Sequence, residues 1–170
     1  MRKGNGWVNE YIQPVFAARV LTRMFKNPPS EMHSGPIKLV LENTVDIEPG
    51  GDLVPFYHFS IMDKKGNRVG HLNFKVGDTP HVRQCAGHIG YEVLPGYRGN
   101  AYAYFACDAI RPFVKTFYAS VILTCDPGNI SSIKTIEKLN GKYIDEIKVP
   151  EHDPAYKRGS RRKRRYEWEP

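Results

Sequence analysis

The chain has few features that would suggest a membrane, a metal centre or a disulfide framework. It holds three cysteines, Cys85, Cys107 and Cys125, and no two of them sit at the close spacing of a thiol metal site or a redox pair. An odd count without close pairs fits free thiols in a reducing compartment. Cys107 falls in a helical pattern and Cys125 at a strand end, so both are expected to pack rather than react. No apolar run approaches the roughly 18 residues that a membrane span needs. The basic start, Met1 to Trp7, is not followed by an apolar leader core, because Asn9, Glu10, Gln13, Arg19 and Arg23 interrupt the next stretch. A cytoplasmic protein with no membrane contact is the expectation. The histidines lack a regular ligand spacing, and no metal is expected.

Acidic residues are also short, giving a formal net charge of +7. The excess is local. Residues 157–165 read Lys-Arg-Gly-Ser-Arg-Arg-Lys-Arg-Arg, and without this run acids and bases balance. Such a patch can attract RNA or DNA over long range. It has no interleaved aromatics and no nucleic-acid motif, so nucleic-acid binding through 157–165 is disfavoured.

The 170 residues suit one domain, and 41 % apolar residues suffice for a packed core. Residues 1–36 read as an N-terminal helical arm, with an amphipathic pattern over 8–26 that Pro14 interrupts and that Asn27-Pro28-Pro29 ends. It is expected to pack on the domain or to make a homodimer contact. Residues 37–170 read as the single domain. Strands are expected at 37–44, 56–61, 69–76 and 87–94, joined by short turns and therefore antiparallel neighbours. A helix follows from Ala101 to Ile110, with Pro112 expected to kink or interrupt it. A nearly all-apolar strand spans 119–125. Asn129 is placed to cap a second helix, and Gly141 to end it in a left-handed conformation. Further strands are expected at 143–149 and 165–168. The order indicates an α/β (α+β) fold.

Between the fourth strand and the first helix lies Pro95-Gly96-Tyr97-Arg98-Gly99-Asn100-Ala101-Tyr102-Ala103. The first amides of a helix have no partner within it and carry partial positive charge, so they can grip a phosphate. Close approach requires small side chains, which Gly99, Ala101 and Ala103 supply at every second position, and Arg98 adds a charge. Neither a Walker loop nor a triple-glycine dinucleotide fingerprint occurs.

This segment resembles the cofactor-binding motif of the GNAT superfamily of N-acetyltransferases, with Arg98, Ala101 and Ala103 at its defined positions. Val93 and Leu94 match the strand end that meets the pantetheine arm, and Asn129 with Ser132 resembles the second motif near the thioester. The resemblance implies a GNAT-like fold, a mixed central sheet with flanking helices, and acetyl-CoA as cosubstrate. The implied cofactor-binding residues are Val93, Leu94, Arg98, Gly99, Asn100, Ala101, Tyr102, Ala103, Asn129 and Ser132. Three departures stand out. Ala101 replaces the usual middle glycine and is expected to hold helical angles without strain. Ile136 occupies the position where many members carry a tyrosine that protonates the departing thiolate. The acceptor-side helices are reduced, because too few residues separate the first two strands.

The implied reaction is acetyl transfer to an amine of unidentified acceptor. The acceptor's proton needs a base. Glu92, beside Val93, comes first among the candidates, with His88, His71 and His58 on neighbouring strands as alternatives. A CoA-binding protein of the same fold with little transferase activity is the other reading that the departures support.

Overall fold

The computed structural model describes residues 26–47 and 52–170. The amphipathic pattern at 8–26 therefore lies outside the described residues, apart from Lys26. The elements run β1 (Glu31–Ser34), β2 (Ile37–Val45), β3 (Phe56–Asp63), β4 (Arg68–Lys75), β5 (Ile89–Val93), α1 (Tyr102–Lys115), β6 (Val121–Cys125), α2 (Ile130–Lys138), β7 (Lys142–Lys148), α3 (Pro154–Lys157) and β8 (Arg162–Trp168). Strands β1 to β5 form a five-stranded sheet in sequence order, and β6-β8-β7 form a three-stranded one. Every ladder in the two sheets is antiparallel.

Alternation along the strands decides which face is covered. Leu39, Tyr57, Phe59, Ile61, Leu72, Phe74 and Ile89 are buried together with Ala106, Cys107, Ile110, Phe113 and Val114 of α1. Tyr57 and Phe74 stack at 6.0 Å, and Phe113 and Phe117 meet both edge-on at centroid separations between 5.1 and 6.1 Å; full burial of such a side chain contributes about 1.5–3 kcal/mol. The opposite face carries His58, Ser60, His71, Asn73, Lys75, Gly90 and Glu92, placed there by the same alternation and register. All three cysteines are buried. Desolvation pushes Cys85 and Cys107 up to about 12, which suits packing thiols.

Several sequence expectations are revised. The sheet begins before residue 37, because β1 pairs with β2 through a turn at Gly35. That turn sits so close to α1 that a Cβ at Gly35 would lie 2.4 Å from the Phe105 ring. Helix α1 runs through Pro112 to Lys115 without interruption. The proline costs about 3 kcal/mol in a helix interior, and the burial of Ile110, Phe113 and Val114 around it offsets that cost. The left-handed residue after α2 is Asn140, at φ 64°, not Gly141. Gly141 instead packs on the helix end, where a Cβ would meet Ile136 Cγ2 at 2.5 Å. Asn129 does cap α2, its side chain accepting from the Ser132 amide at 3.2 Å.

The end of the basic run enters a hairpin between β7 and β8. Strand β8 holds Arg162 to Arg165 between two neighbours, and β7 supplies counter-charges. Arg165 binds Asp145 with two bonds of 2.7 and 2.6 Å, and Arg162 and Arg164 share Glu146 at 2.5 and 3.2 Å. Lys163 pairs with Asp126 at 2.7 Å. Among the described residues no helix is long and apolar enough to cross a membrane, and no cluster of three or more His, Cys, Asp or Glu side chains could hold a metal.

Candidate active site

The two sheets meet at one point and then part. His88 donates its backbone N–H to the Ile122 carbonyl at 2.8 Å, and the Ile122 N–H donates to His88 Nδ1 at 3.0 Å. An imidazole nitrogen thus stands where a strand partner's carbonyl would be. Accepting the amide uses the Nδ1 lone pair, so the 3.4 Å approach of Nδ1 to the Ile122 carbonyl is a contact, not a bond. The proton therefore sits on Nε2, facing Asp78 Oδ1 at 3.3 Å. Desolvation lowers the pKa of His88 despite Asp78, which favours this neutral form. Beyond His88, β5 hydrogen-bonds β4 and β6 hydrogen-bonds β8. The strands leave a gap between them because His88 ends their pairing. His88 is therefore the apex of the split, and its buried ring is remote from the role of a base.

On one side of the gap is a cavity of about 520 Å³ lined by Tyr91, Glu92, Val93, Arg98, Gly99, Ala101 to Tyr104, Asn129, Ser132, Thr135 and Lys138. The first turn of α1 opens onto it. The amides of Ala101, Tyr102 and Ala103 donate to no acceptor among the described residues, and no side chain caps the helix. Arg98 Nε donates to the Val93 carbonyl at 3.0 Å, which anchors the side chain and leaves its terminal nitrogens without an acceptor among the described residues. Ala101 departs from expectation. Its φ is 56°, in the left-handed region, a conformation that costs an L-residue about 1 kcal/mol and glycine almost nothing. The sequence motif placed a glycine-like requirement here, and the alanine meets it under strain.

The structure thus gathers Glu92, Val93, Arg98, Gly99, Ala101, Tyr102, Ala103, Asn129 and Ser132 around one cleft. Leu94 and Asn100 lie off it. The Leu94 side chain is exposed and its amide bonds Val69, while the Asn100 side chain turns back to the Tyr97 carbonyl at 3.0 Å. His58 and His71 sit on the outer face, their rings 5.5 Å apart. His58 contacts Glu42 at 3.1 Å and Asn73 at 2.6 Å, and neither histidine lines the cleft. His71 does stand directly across from Glu92 in the ladder, and desolvation with the neighbouring His58 holds its pKa down.

Two residues carry no motif in the sequence. Tyr91 lies at the gap, and its buried hydroxyl makes no well-formed hydrogen bond among the described residues. Desolvation raises its pKa strongly, beside Ser132 and Thr135 of α2. A buried hydroxyl without a well-formed hydrogen bond is one that a bound group or a water can satisfy. Lys75 lines a second cavity of about 610 Å³ that shares Tyr91, Asn129 and Ser132 with the first. Ile136 is buried in the core and lines neither cavity.

The unengaged amides, the anchored arginine and the buried hydroxyl fit a nucleotide-bearing thioester. The acetyltransferase (GNAT) domain model matches residues 16–142. The chain belongs to the GNAT acetyltransferase family. Among solved structures, it is similar to a GNAT-family acetyltransferase from Bacillus anthracis, at 22 % identity and TM-score 0.51, over 66 % of this chain and 65 % of that one. It is similar to a GNAT-family protein from Chromobacterium violaceum ATCC 12472 at 10 % identity and TM-score 0.58, over 99 % and 96 %. A GCN5-related N-acetyltransferase from Brucella melitensis aligns at 12 % identity and TM-score 0.57, over 85 % and 80 %. The chain spans just under two thirds of the Bacillus anthracis protein. At these identities the likeness is one of fold. No curated protein sequence matches the chain.

Proposed function

We propose that the protein transfers an acetyl group from acetyl-CoA to the amine of a second substrate. The observation that carries this reading is the row of free amides at Ala101, Tyr102 and Ala103, beside anchored Arg98, opening on the cleft that leads to the β5–β6 gap. The amides and the Arg98 guanidinium would hold the pyrophosphate. The edge of β5 at Val93 and the side chain of Asn129 would hold the arm that follows. When bound, acetyl-CoA supplies an activated acyl group and a thiolate leaving group.

The remaining work falls to this chain's own side chains. Tyr91 holds a proton at Oη, where the thiolate would depart, and so takes the place left vacant by Ile136. Glu92 lines the same cleft and accepts the proton of the incoming amine, directly or through a water, with His71 across the ladder as its neighbour. Holding the two reactants in one gap supplies much of the advantage over solution.

The test is thiol release from acetyl-CoA across a panel of primary amines. Wild-type protein is expected to turn over at least one, and Tyr91→Phe to lower kcat about a hundredfold with little change in KM, the scale of a lost proton donor. Unchanged kcat in Tyr91→Phe would remove that residue from the reaction. The buried Ile136 and the strained Ala101 favour a second reading, a CoA-binding protein of the same fold. Protection by acetyl-CoA against heat, without thiol release on any amine, is its signature. The ion pairs inside the β7–β8 hairpin support a structural role for the basic run rather than nucleic-acid binding.

A further inference from the structure

The second cavity faces the same gap from the other side, and its charge is unusual. Lys75 ends β4 on the outer face and reaches over Gly90 of β5, where a Cβ would stand 3.4 Å from Nζ. Glycine at position 90 therefore leaves the ammonium room. The lysine is half-buried, yet it makes no hydrogen bond or ion pair among the described residues. Desolvation and the nearby Arg158 guanidinium bring its pKa down to about 8. Arg158 also lines the cavity and its side chain has no acceptor among the described residues. The carboxylate that lines the cavity, Asp126, is already engaged by Lys163 at 2.7 Å and by Ser160 at 2.6 Å. His81, also in the wall, is paired with buried Asp153 at 2.8 Å. Two cations thus border one groove, Lys75 half-buried and Arg158 exposed, and neither has a counter-charge among the described residues.

Burying an ammonium without a partner is costly, and an incoming anion repays that cost. We propose that this cavity receives the acceptor and that Lys75 and Arg158 bind an anionic oxygen group on it, a carboxylate or a phosphate, so that the substrate is an amine bearing such a group. The cavity shares Tyr91, Asn129 and Ser132 with the cofactor cleft. An amine a few bonds from the bound anion therefore reaches the gap where the acyl group would be presented. The amine's part rests on the acetyl transfer proposed above. The anion site rests on Lys75, Arg158 and Gly90 alone.

Three probes with the same two-carbon spacing separate the cases: O-phosphoethanolamine, β-alanine and ethanolamine. Calorimetry on the full chain, with and without saturating CoA, is expected to give at least tenfold tighter binding for one of the two anionic amines than for ethanolamine, and the preferred one names the group. Thiol release from acetyl-CoA should follow the same order in kcat/KM. Lys75→Met and, separately, Arg158→Gln on the exposed turn should each erase most of the preference and leave acetyl-CoA affinity within twofold. Equal binding of the three probes, tighter binding of ethanolamine, or a preference that persists in both variants overturns the proposal. Failure of acetyl-CoA to bind would overturn the transferase reading instead, while the comparison of the three probes without CoA still decides the anion site.

Discussion

The two sides of the β5–β6 gap are built from different materials. The side proposed for the cofactor is made mainly of backbone: three amides at the start of α1 that are unpaired among the described residues, cleared by Gly99, Ala101 and Ala103, with one arginine fixed to a strand carbonyl. The opposite side is made of side chains, where Lys75, Arg158 and Lys163 arrive from three separate segments. Backbone donors are fixed by the secondary structure and lose little freedom when a ligand binds. Long cationic side chains are adaptable and can follow a substrate. A constant cofactor on the rigid side and a particular acceptor on the adaptable side fit this division.

The contrast depends on His88, which holds both sides at the apex. His88→Ala leaves the Ile122 amide unpaired and a cavity beside Tyr118, and is expected to lower stability by about 2–4 kcal/mol. His88→Asn retains an acceptor and should recover part of the loss in a chemical denaturation series. Equal losses in the two variants would show that ring packing, not the hydrogen bond, closes the apex. The same residue sets an acid response. Its pKa is lowered in the folded state by desolvation, so the unfolded chain binds more protons between the folded value and the ordinary value near 6.5. Its contribution is complete above about pH 6.5 and is lost as pH falls through the lowered folded value. His88→Asn should flatten that part of the stability profile. A smaller effect is expected at the cofactor side. Ala101→Gly relieves a left-handed alanine, which gains about 1 kcal/mol, less the added freedom of the unfolded chain. A modest rise in acetyl-CoA affinity should accompany it, because the methyl no longer borders the amides. Lower stability in Ala101→Gly would mean that the turn is not strained.

Legibility followed the same division. The segment proposed to grip the phosphates could be singled out directly because its requirements are local: small residues at alternate positions, an arginine just before, and a helix just after. The backbone sign at Ala101 was not readable, since alanine argues for ordinary helical angles and only the turn itself demands φ 56°. Asn140 and Gly141 show the related ambiguity, as both residue types tolerate the left-handed region and the chain chose the earlier one. Strand β1 was missed because it is four residues long, with Met32 its one buried apolar side chain. His88 looked like any sheet histidine, because its role depends on Ile122, 34 positions away. The proposed anion site could not be seen at all, since nothing links Lys75 to Gly90 and Arg158 until the sheet aligns the first two and the β7–β8 connection brings in the third.

The claim on which both sides depend is that the start of α1 and Arg98 grip acetyl-CoA. Calorimetry on wild-type protein and Arg98→Glu tests it most directly. The expected result is binding by the wild type and a loss of about 1.5–3 kcal/mol, or roughly 10- to 100-fold, when a carboxylate replaces the guanidinium beside the phosphates. Equal affinity in the two proteins, or no binding by the wild type, would contradict the account.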